Sequence, residues 1–581
     1  MKKSEISKAE IDSVITLFSN GDLDKALTNA NKLIKAFPEN SLLHNILGAC
    51  YAGLGQLDSA VKSYEKAIQI EPNYAKAYFN LGAAFQELNQ TNKSIKSYEK
   101  SIIIDPNYAE AHNNLGSVYS EIEQYEKAIK SYKNALSIKP DYVEASYALA
   151  MTLQDKGETE QMIEQLLKVL AIQPDLDDVH YRIGQGFQDL GHKDKAIQYY
   201  HNAIEINPNF SEAFNNLGNI LKEQSKLDDA VEIYKKAIKI NSDFPVLHNN
   251  LGNAFRELGQ LDNAISSYKV ALKHNPDFFQ SLNDLGVALF EKGELNDAVS
   301  YFESAIKINP ESADTYLNLS EVYKNLQKHE EALRCLQKAI EIDKESSDAH
   351  NNLGALYKDL AHLYKDSELL NDAQVNLQEA ININPDSAEA HNNLGSVLKD
   401  LKFFDESVKS FNVAISLKHD FPAAHNNLGT VLSEDLNRHE DAIKSFDRAI
   451  KIMPDFAPAH LNLGHTLCKI GQFEDAIRCY MKVMNIEPSF DYILGNLLGT
   501  KMNCSNWDEL NNLLVDVKSQ IDEGKKVIDP FSLFGLIDDP VLQRSTTQIR
   551  VSNNFPRNTS LPIINPYPRR SKIRIGYFSA D

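Results

Sequence analysis

AEAHNNLGSVYSEIEQYEKAIKSYKNALSIKPDY, residues 109–142, is one turn of a repeat whose period is 34 residues. Its Leu115-Gly116 pair returns at Leu47-Gly48, Leu81-Gly82, Leu217-Gly218, Leu251-Gly252 and Leu285-Gly286. It resumes at Leu353-Gly354, Leu394-Gly395, Leu428-Gly429 and Leu463-Gly464. Self-similarity at a fixed period of this size means a stacked array in which each repeat leans only on its neighbours. Placing Leu at position 7 and Gly at position 8 gives fourteen repeats. They begin at Ser7, Ser41, Ala75, Ala109, Val143, Asp177, Ser211, Pro245, Phe279, Ala313, Ser347, Ala388, Pro422 and Ala457, and end near Phe490.

Two apolar stripes at i, i+3, i+4, i+7 spacing predict two amphipathic helices per repeat. Position 20 is small (Ala60, Ala128, Ala264), and with Gly at position 8 it lets the two helices approach closely. Position 24 is aromatic in most repeats (Tyr98, Tyr268, Phe446) and is expected to fill the space between neighbouring repeats. Position 27 is mostly Ala. Pro at position 32 (Pro72, Pro106, Pro140) stops the second helix.

Three repeats depart from the pattern. The repeat from Ser347 is seven residues too long, around AHLYKDSELL, close to two helical turns. The repeat from Pro422 has one extra residue near Asn437, expected in the turn between its helices. In the repeat from Val143, Ala150 replaces Gly, Met162 the small residue and Leu166 the aromatic, which predicts a looser joint.

Composition excludes several classes. The 581 residues carry a formal charge of −21, which argues against a nucleic-acid protein and against binding anionic membranes. The five cysteines are scattered, without a C-x-x-C pair, as expected of a reduced, cytoplasmic compartment. MKKSEISKAEIDS has no apolar core of a signal peptide, and no apolar run reaches the roughly 18 residues of a membrane span.

Position 6 is Asn in nine repeats: Asn80, Asn114, Asn216, Asn250, Asn318, Asn352, Asn393, Asn427 and Asn462, with Asp284 in the same place. Asn costs about 0.5 kcal/mol against Ala inside a helix. A carboxamide offers donor and acceptor together, so a column of them suits the backbone of an extended peptide. Asn is also frequent at position 5 (Asn113, Asn215, Asn249), so residue pattern alone leaves a second reading, a site that merely tolerates Asn. Position 4 is His in eight repeats, among them His44, His248 and His460. Stacking separates those rings by roughly 10 Å, too far for shared zinc ligation at about 2 Å, so semi-buried packing is expected and no metal.

The pattern L-G…A-x3-F…P resembles the tetratricopeptide repeat over about 480 residues. That resemblance implies an all-α, right-handed superhelix with the first helices, and so the asparagines, on its concave side. After it, Trp507 to Gly524 reads as a helix with Leu510, Leu513, Leu514, Val517 and Ile521 in one stripe. A further helix is expected from Pro540, capped by Asp538 or Asp539, then a Pro-rich linker to about residue 570. Residues 571–581 alternate as a β-strand does.

LGNLLGTKMNCSNW (Leu494 to Trp507), PFSLFGLIDDP (Pro530 to Pro540) and IRIGYFSAD (Ile573 to Asp581) resemble the connector and first catalytic strand of bacterial-type protein O-linked N-acetylglucosamine transferases. The order implied is an N-terminal tail (1–6), repeats (7–490), connector and linker (491–570) and the start of a GT-B catalytic region (571–581). The resemblance implies transfer of N-acetylglucosamine from UDP-N-acetylglucosamine to Ser or Thr of proteins, without a metal. It implies too that the position 6 asparagines bind protein substrates, and that the catalytic residues lie beyond Asp581. On this reading the chain itself binds proteins or extended peptides and catalyses nothing; arrays of this kind can also dimerise through convex faces. The alternatives are a non-catalytic tetratricopeptide adaptor and a transferase of the same family using another sugar, such as fucose.

Overall fold

Each repeat folds as two antiparallel helices because the residues between them cannot continue either one. The computed structural model describes residues 7–505, 510–530, 533, 537 and 539–554. The N-terminal tail, Trp507, the Pro-rich linker and the expected strand at 571–581 lie outside the described residues. Every described element is a helix.

The first repeat holds α1 (Lys8–Ser19) and α2 (Leu23–Ala36), and the alternation runs without a gap to α27 (Ala457–Lys469) and α28 (Phe473–Ile486). Odd-numbered helices are the first of each repeat and even-numbered ones the second. Position 15 closes the first helix in the left-handed region, as Gly in Gly55 and Gly259 (φ +72° in both) and at a strain cost in Glu123 (φ +58°). The second helix ends two residues before Pro, where the N–H of position 31 donates back to the carbonyl of position 27, as from Glu71 to Ala67 at 2.9 Å. The extra residue near Asn437 falls in the inter-helix turn, between α25 (Pro422–Glu434) and α26 (His439–Ile452), with Asn437 at φ +53°.

The chain divides into two compact bodies, Met1–Gly293 and Glu294–Asp581. In both, the core is the inside of the helix pairs. Alanines at positions 20 and 27 are sealed, and so is the aromatic at position 24: Tyr98, Tyr200, Tyr234, Tyr268 and Phe446 are 0% exposed. The ring meets the next repeat, as the sequence suggested: the Tyr98 hydroxyl accepts from Asn114 and the Tyr200 hydroxyl from Asn216, both at 3.4 Å. It also lies on the glycine of its own repeat, so that a methyl group on Gly252 would meet Cε1 of Tyr268 at 2.5 Å. Gly82 and Tyr98, Gly218 and Tyr234, Gly395 and Phe411, and Gly429 and Phe446 are related in the same way. Where position 20 is Ser, its hydroxyl is satisfied by the position 8 carbonyl, Ser94 to Gly82 at 2.8 Å and Ser407 to Gly395 at 2.6 Å.

The repeat from Val143 is not loosely packed. Ala150 and Leu166 are 0% exposed and Met162 2%. The larger Ala150 on one helix is matched by Leu166, smaller than an aromatic ring, on the other. Gly186 of the next repeat leaves the room that the end of Met162 occupies, since a Cβ there would lie 2.7 Å from Met162 Cε.

In the second body, the seven-residue insertion lengthens both helices. α21 (Ser347–Tyr364) has 18 residues where the other first helices have mostly 13, and α22 (Glu368–Ile383) has 16 where second helices have 14. Leu360, Ala361 and Leu370 bury against neighbouring helices, while Leu363 and Tyr364 at the tip are exposed.

α29 (Ile493–Asn503) stacks on the last pair in the manner of another first helix. Its start is tied down by Tyr492 N–H to Lys526 C=O (2.7 Å) and Gly495 N–H to Val527 C=O (3.0 Å). The expected connector helix is α30 (Leu510–Asp522), with Leu513, Val517 and Ile521 buried and Gly524 at φ +78° after it. α31 (Pro540–Asn554) begins where Asp539 accepts from the N–H of Val541 (3.0 Å) and Leu542 (3.2 Å). One hydrophobic cluster runs from Phe411 through Phe446 and Tyr480 to Leu498, Val517, Ile528 and Leu542. The connector therefore shares a core with the final repeats.

Candidate protein-binding face

Position 6 falls mid-helix, one residue before the buried Leu, which puts it at the border between the core and the outer side of the first helix. All nine asparagines are accordingly half-buried. The first body carries Asn80, Asn114, Asn216 and Asn250; the second carries Asn318, Asn352, Asn393, Asn427 and Asn462.

Their amides are not idle. Nδ2 of a position 6 Asn donates to Oδ1 of the position 5 Asn in the preceding repeat: Asn80 to Asn45 (2.9 Å), Asn250 to Asn215 (2.8 Å), Asn393 to Asn351 (2.9 Å), Asn427 to Asn392 (3.1 Å) and Asn462 to Asn426 (3.0 Å). Position 5 is thus the acceptor of this bond in those five places. Where position 5 is Tyr181, Asn216 donates to its hydroxyl at 3.2 Å. Where position 5 is Phe79, which has no acceptor, Asn114 reaches the Tyr98 hydroxyl at 3.4 Å. Asp284 cannot donate, and there the bond reverses: Asn249 Nδ2 donates to Asp284 at 3.1 Å, and its freed Oδ1 accepts from Ser281 at 2.6 Å. An amide has two N–H groups and two acceptor lone pairs. Asn80, Asn250, Asn393 and Asn427 each spend one N–H on the stack, whereas Asn462 also donates to Thr430 at 3.3 Å and Asn216 to the Tyr200 hydroxyl at 3.4 Å.

α29 adds a residue the sequence reading missed. Asn496 occupies the position 6 place on it, and its Nδ2 donates to Nε2 of His465 at 3.1 Å. That bond requires Nε2 to be unprotonated. Burial holds His465 below the usual histidine range, and burial does the same to His425. The unfolded chain therefore binds protons at these two imidazoles more readily as pH falls through about 6.5. Stability is held above that pH and lost below it. Urea midpoints measured at descending pH are expected to fall, and less steeply in H465Q; parallel slopes would refute the assignment.

The position 4 histidines pack half-buried or deeper, and most lock the turn before them. Nε2 bonds the carbonyl six residues earlier: His44 to Pro38 (2.8 Å), His112 to Pro106 (3.1 Å), His248 to Ser242 (2.8 Å) and His460 to Pro454 (2.9 Å). Among the described residues, no cluster of three His, Cys, Asp or Glu could hold a metal ion. Nor is any described helix long and apolar enough to cross a membrane.

A charged row lies toward the C-terminal end of the same helices and was also missed. A base at position 12 pairs with an acid at position 13 of the next repeat: Lys222–Glu257 (3.5 Å) and Arg256–Glu291 (3.0 Å) in the first body, Lys324–Asp359 (3.6 Å) and Lys399–Glu434 (3.7 Å) in the second. The signal was a base followed 35 residues later by an acid. Partly exposed pairs of this kind contribute at most about 1 kcal/mol each.

Tetratricopeptide family models match most of the array. Those described as TPR repeat match residues 48–89, 86–122, 218–255 and 435–471. Those described as tetratricopeptide repeat match 109–142, 143–176, 178–210, 199–232, 249–313, 311–386 and 457–490. The chain belongs to the tetratricopeptide-repeat family. No curated protein matches it. Among solved structures, MamA is 28% identical over 28% of this chain and 94% of its own, with a TM-score of 0.27. Yeast Tom70 is 17% identical over 77% of this chain and 99% of its own, with a TM-score of 0.38. YrrB, described as a TPR protein with an unusual peptide-binding site, is 22% identical over 32% of this chain and 96% of its own, with a TM-score of 0.29.

Proposed function

We propose that the chain is a protein-binding scaffold whose first helices hold extended peptides by their backbones. The observation that carries this is the row of half-buried position 6 asparagines. Hydrogen bonds to the preceding repeat fix most of these side chains in advance, so little rotamer entropy remains to be lost on binding. We infer further, from the connector motifs and IRIGYFSAD, that the scaffold serves as the substrate-recognition arm of an O-linked N-acetylglucosamine transferase-like enzyme. The shared core of connector and last repeats supports this, because it would hold a following region at a set orientation to the array.

An extended chain spans roughly 3.5 Å per residue and stacked helices lie roughly 10 Å apart, so about 15 residues reach along the ladder of the second body. The triple variant N393A/N427A/N462A is expected to weaken binding of a fluorescein-labelled Gly-Ser-Thr peptide of that length by tenfold or more, at about 1 kcal/mol per lost bond. The same variant loses about 1 kcal/mol of stability per inter-repeat bond, so anisotropy is read where circular dichroism shows it folded. Unchanged affinity refutes the ladder. Coding sequence past codon 581 that specifies a His-containing catalytic region supports the transferase arm, whereas a stop codon there favours the adaptor.

A further inference from the structure

Within the second body the charged row breaks at the insertion. By the spacing that pairs Lys324 with Asp359 and Lys399 with Glu434, Lys358 at position 12 should pair with Asp400 at position 13 of the next repeat. It does not. Asp400 bonds Nε2 of His362 at 2.9 Å instead. His362 stands on the extra turns of α21, at a point the ordinary 13-residue first helices do not reach. Lys358 is half-buried, and its ammonium makes no ion pair or hydrogen bond among the described residues. It lines a recess on the ladder side with His362, Ser396, Lys399, Asp400, Asn427 and Thr430, Lys399 being the one paired with Glu434.

An ammonium that lines a recess without a partner is open to an incoming anion. We propose that this recess is a subsite for the carboxylate of an Asp or Glu side chain in a peptide held by the asparagine ladder. Lys358 supplies the charge, and the Ser396 hydroxyl and the spare N–H of Asn427 supply neutral donors at the border of the same recess. A single carboxylate fits better than a doubly charged phosphate, because the Asp400 carboxylate and that of Glu434, paired with Lys399, stand close by. His362 acts by occupying Asp400, which keeps Lys358 available. The proposal rests on the ladder reading above, and it separates from it in the test.

Two labelled Gly-Ser-Thr peptides of about 15 residues, one with a central Asp and one with Asn, are titrated against the full chain. The wild type is expected to prefer the Asp peptide about tenfold, the scale of one charge-assisted bond. K358M abolishes that preference and leaves Asn-peptide affinity unchanged. H362A also reduces the preference, by releasing Asp400 to Lys358. No preference in the wild type, or a preference that survives K358M, overturns the subsite while Asn-peptide binding still supports the ladder. A preference that survives H362A overturns the role given to His362. Failure of both peptides to bind overturns the ladder reading and the subsite with it.

Discussion

Phe446→Ala is expected to cost about 3–5 kcal/mol, the largest stability loss of any single change considered for this chain. The ring is 0% exposed and fills the gap left by Gly429. It belongs to the cluster that joins Leu432, Leu463 and Tyr480 to the connector. Truncation leaves a cavity that two helix backbones must partly collapse to fill. Because stability in a stacked array is a sum of local terms and neighbour interfaces, the damage should stay local. Hydrogen exchange is expected to rise across residues 422–486 and into α29, with the first body unaffected. Phe446→Tyr is the contrasting variant. Tyr268 and Tyr234 occupy this position elsewhere and send their hydroxyls to Asn253 and Asn219, both at 2.6 Å, so the ring's outer end faces polar side chains. Its expected cost is below about 1 kcal/mol. A uniform rise in exchange along the whole chain for the Ala variant would contradict the local account.

Gly252→Ala sets two effects against each other. Helix propensity favours Ala by about 1 kcal/mol. The added methyl, however, meets Cε1 of Tyr268 at 2.5 Å and Cδ1 at 2.7 Å, well inside contact distance. The ring cannot retreat, since it is fully buried and its hydroxyl is bonded to Asn253. Overpacking of this kind costs about 1–3 kcal/mol, so the variant should be less stable by up to about 2 kcal/mol net. The repeat from Val143 shows the remedy, with Ala150 and Leu166 both sealed at those two positions. In a double-mutant cycle, G252A/Y268L should therefore lose clearly less than the sum of its parts. Strict additivity in denaturant midpoints would show that the glycine is not there to receive the ring.

The same pair of positions shows what was legible beforehand. Gly at 8, Ala at 20 and an aromatic at 24 recur together, so two close-packed helices could be read from periodicity. That the ring also covers the glycine of its own repeat could not. Positions 8 and 24 lie on different helices, and only the angle between those helices decides that Gly252 faces Tyr268 of its own repeat. The candidate site divides in the same way. Asn393, Asn427 and Asn462 stood out because Asn is a poor residue to repeat mid-helix. Their partners Asn351, Asn392 and Asn426 looked like background, because a hydrogen bond between residues 35 to 42 apart leaves no mark on the local pattern.

By itself, then, the sequence determined the number of repeats, the helix pairs, the turn at Asn437 and the length of the insertion. Each of these follows from local preference and from a period short enough to count. The tertiary structure decided which surface groups are already spoken for. It joined position 6 to position 5 across the stack, sealed the repeat from Val143, and let His362 take the acid that Lys358 would otherwise hold. Those outcomes depend on distances of about 3 Å between side chains on separate helices, which are set only once the helices are packed.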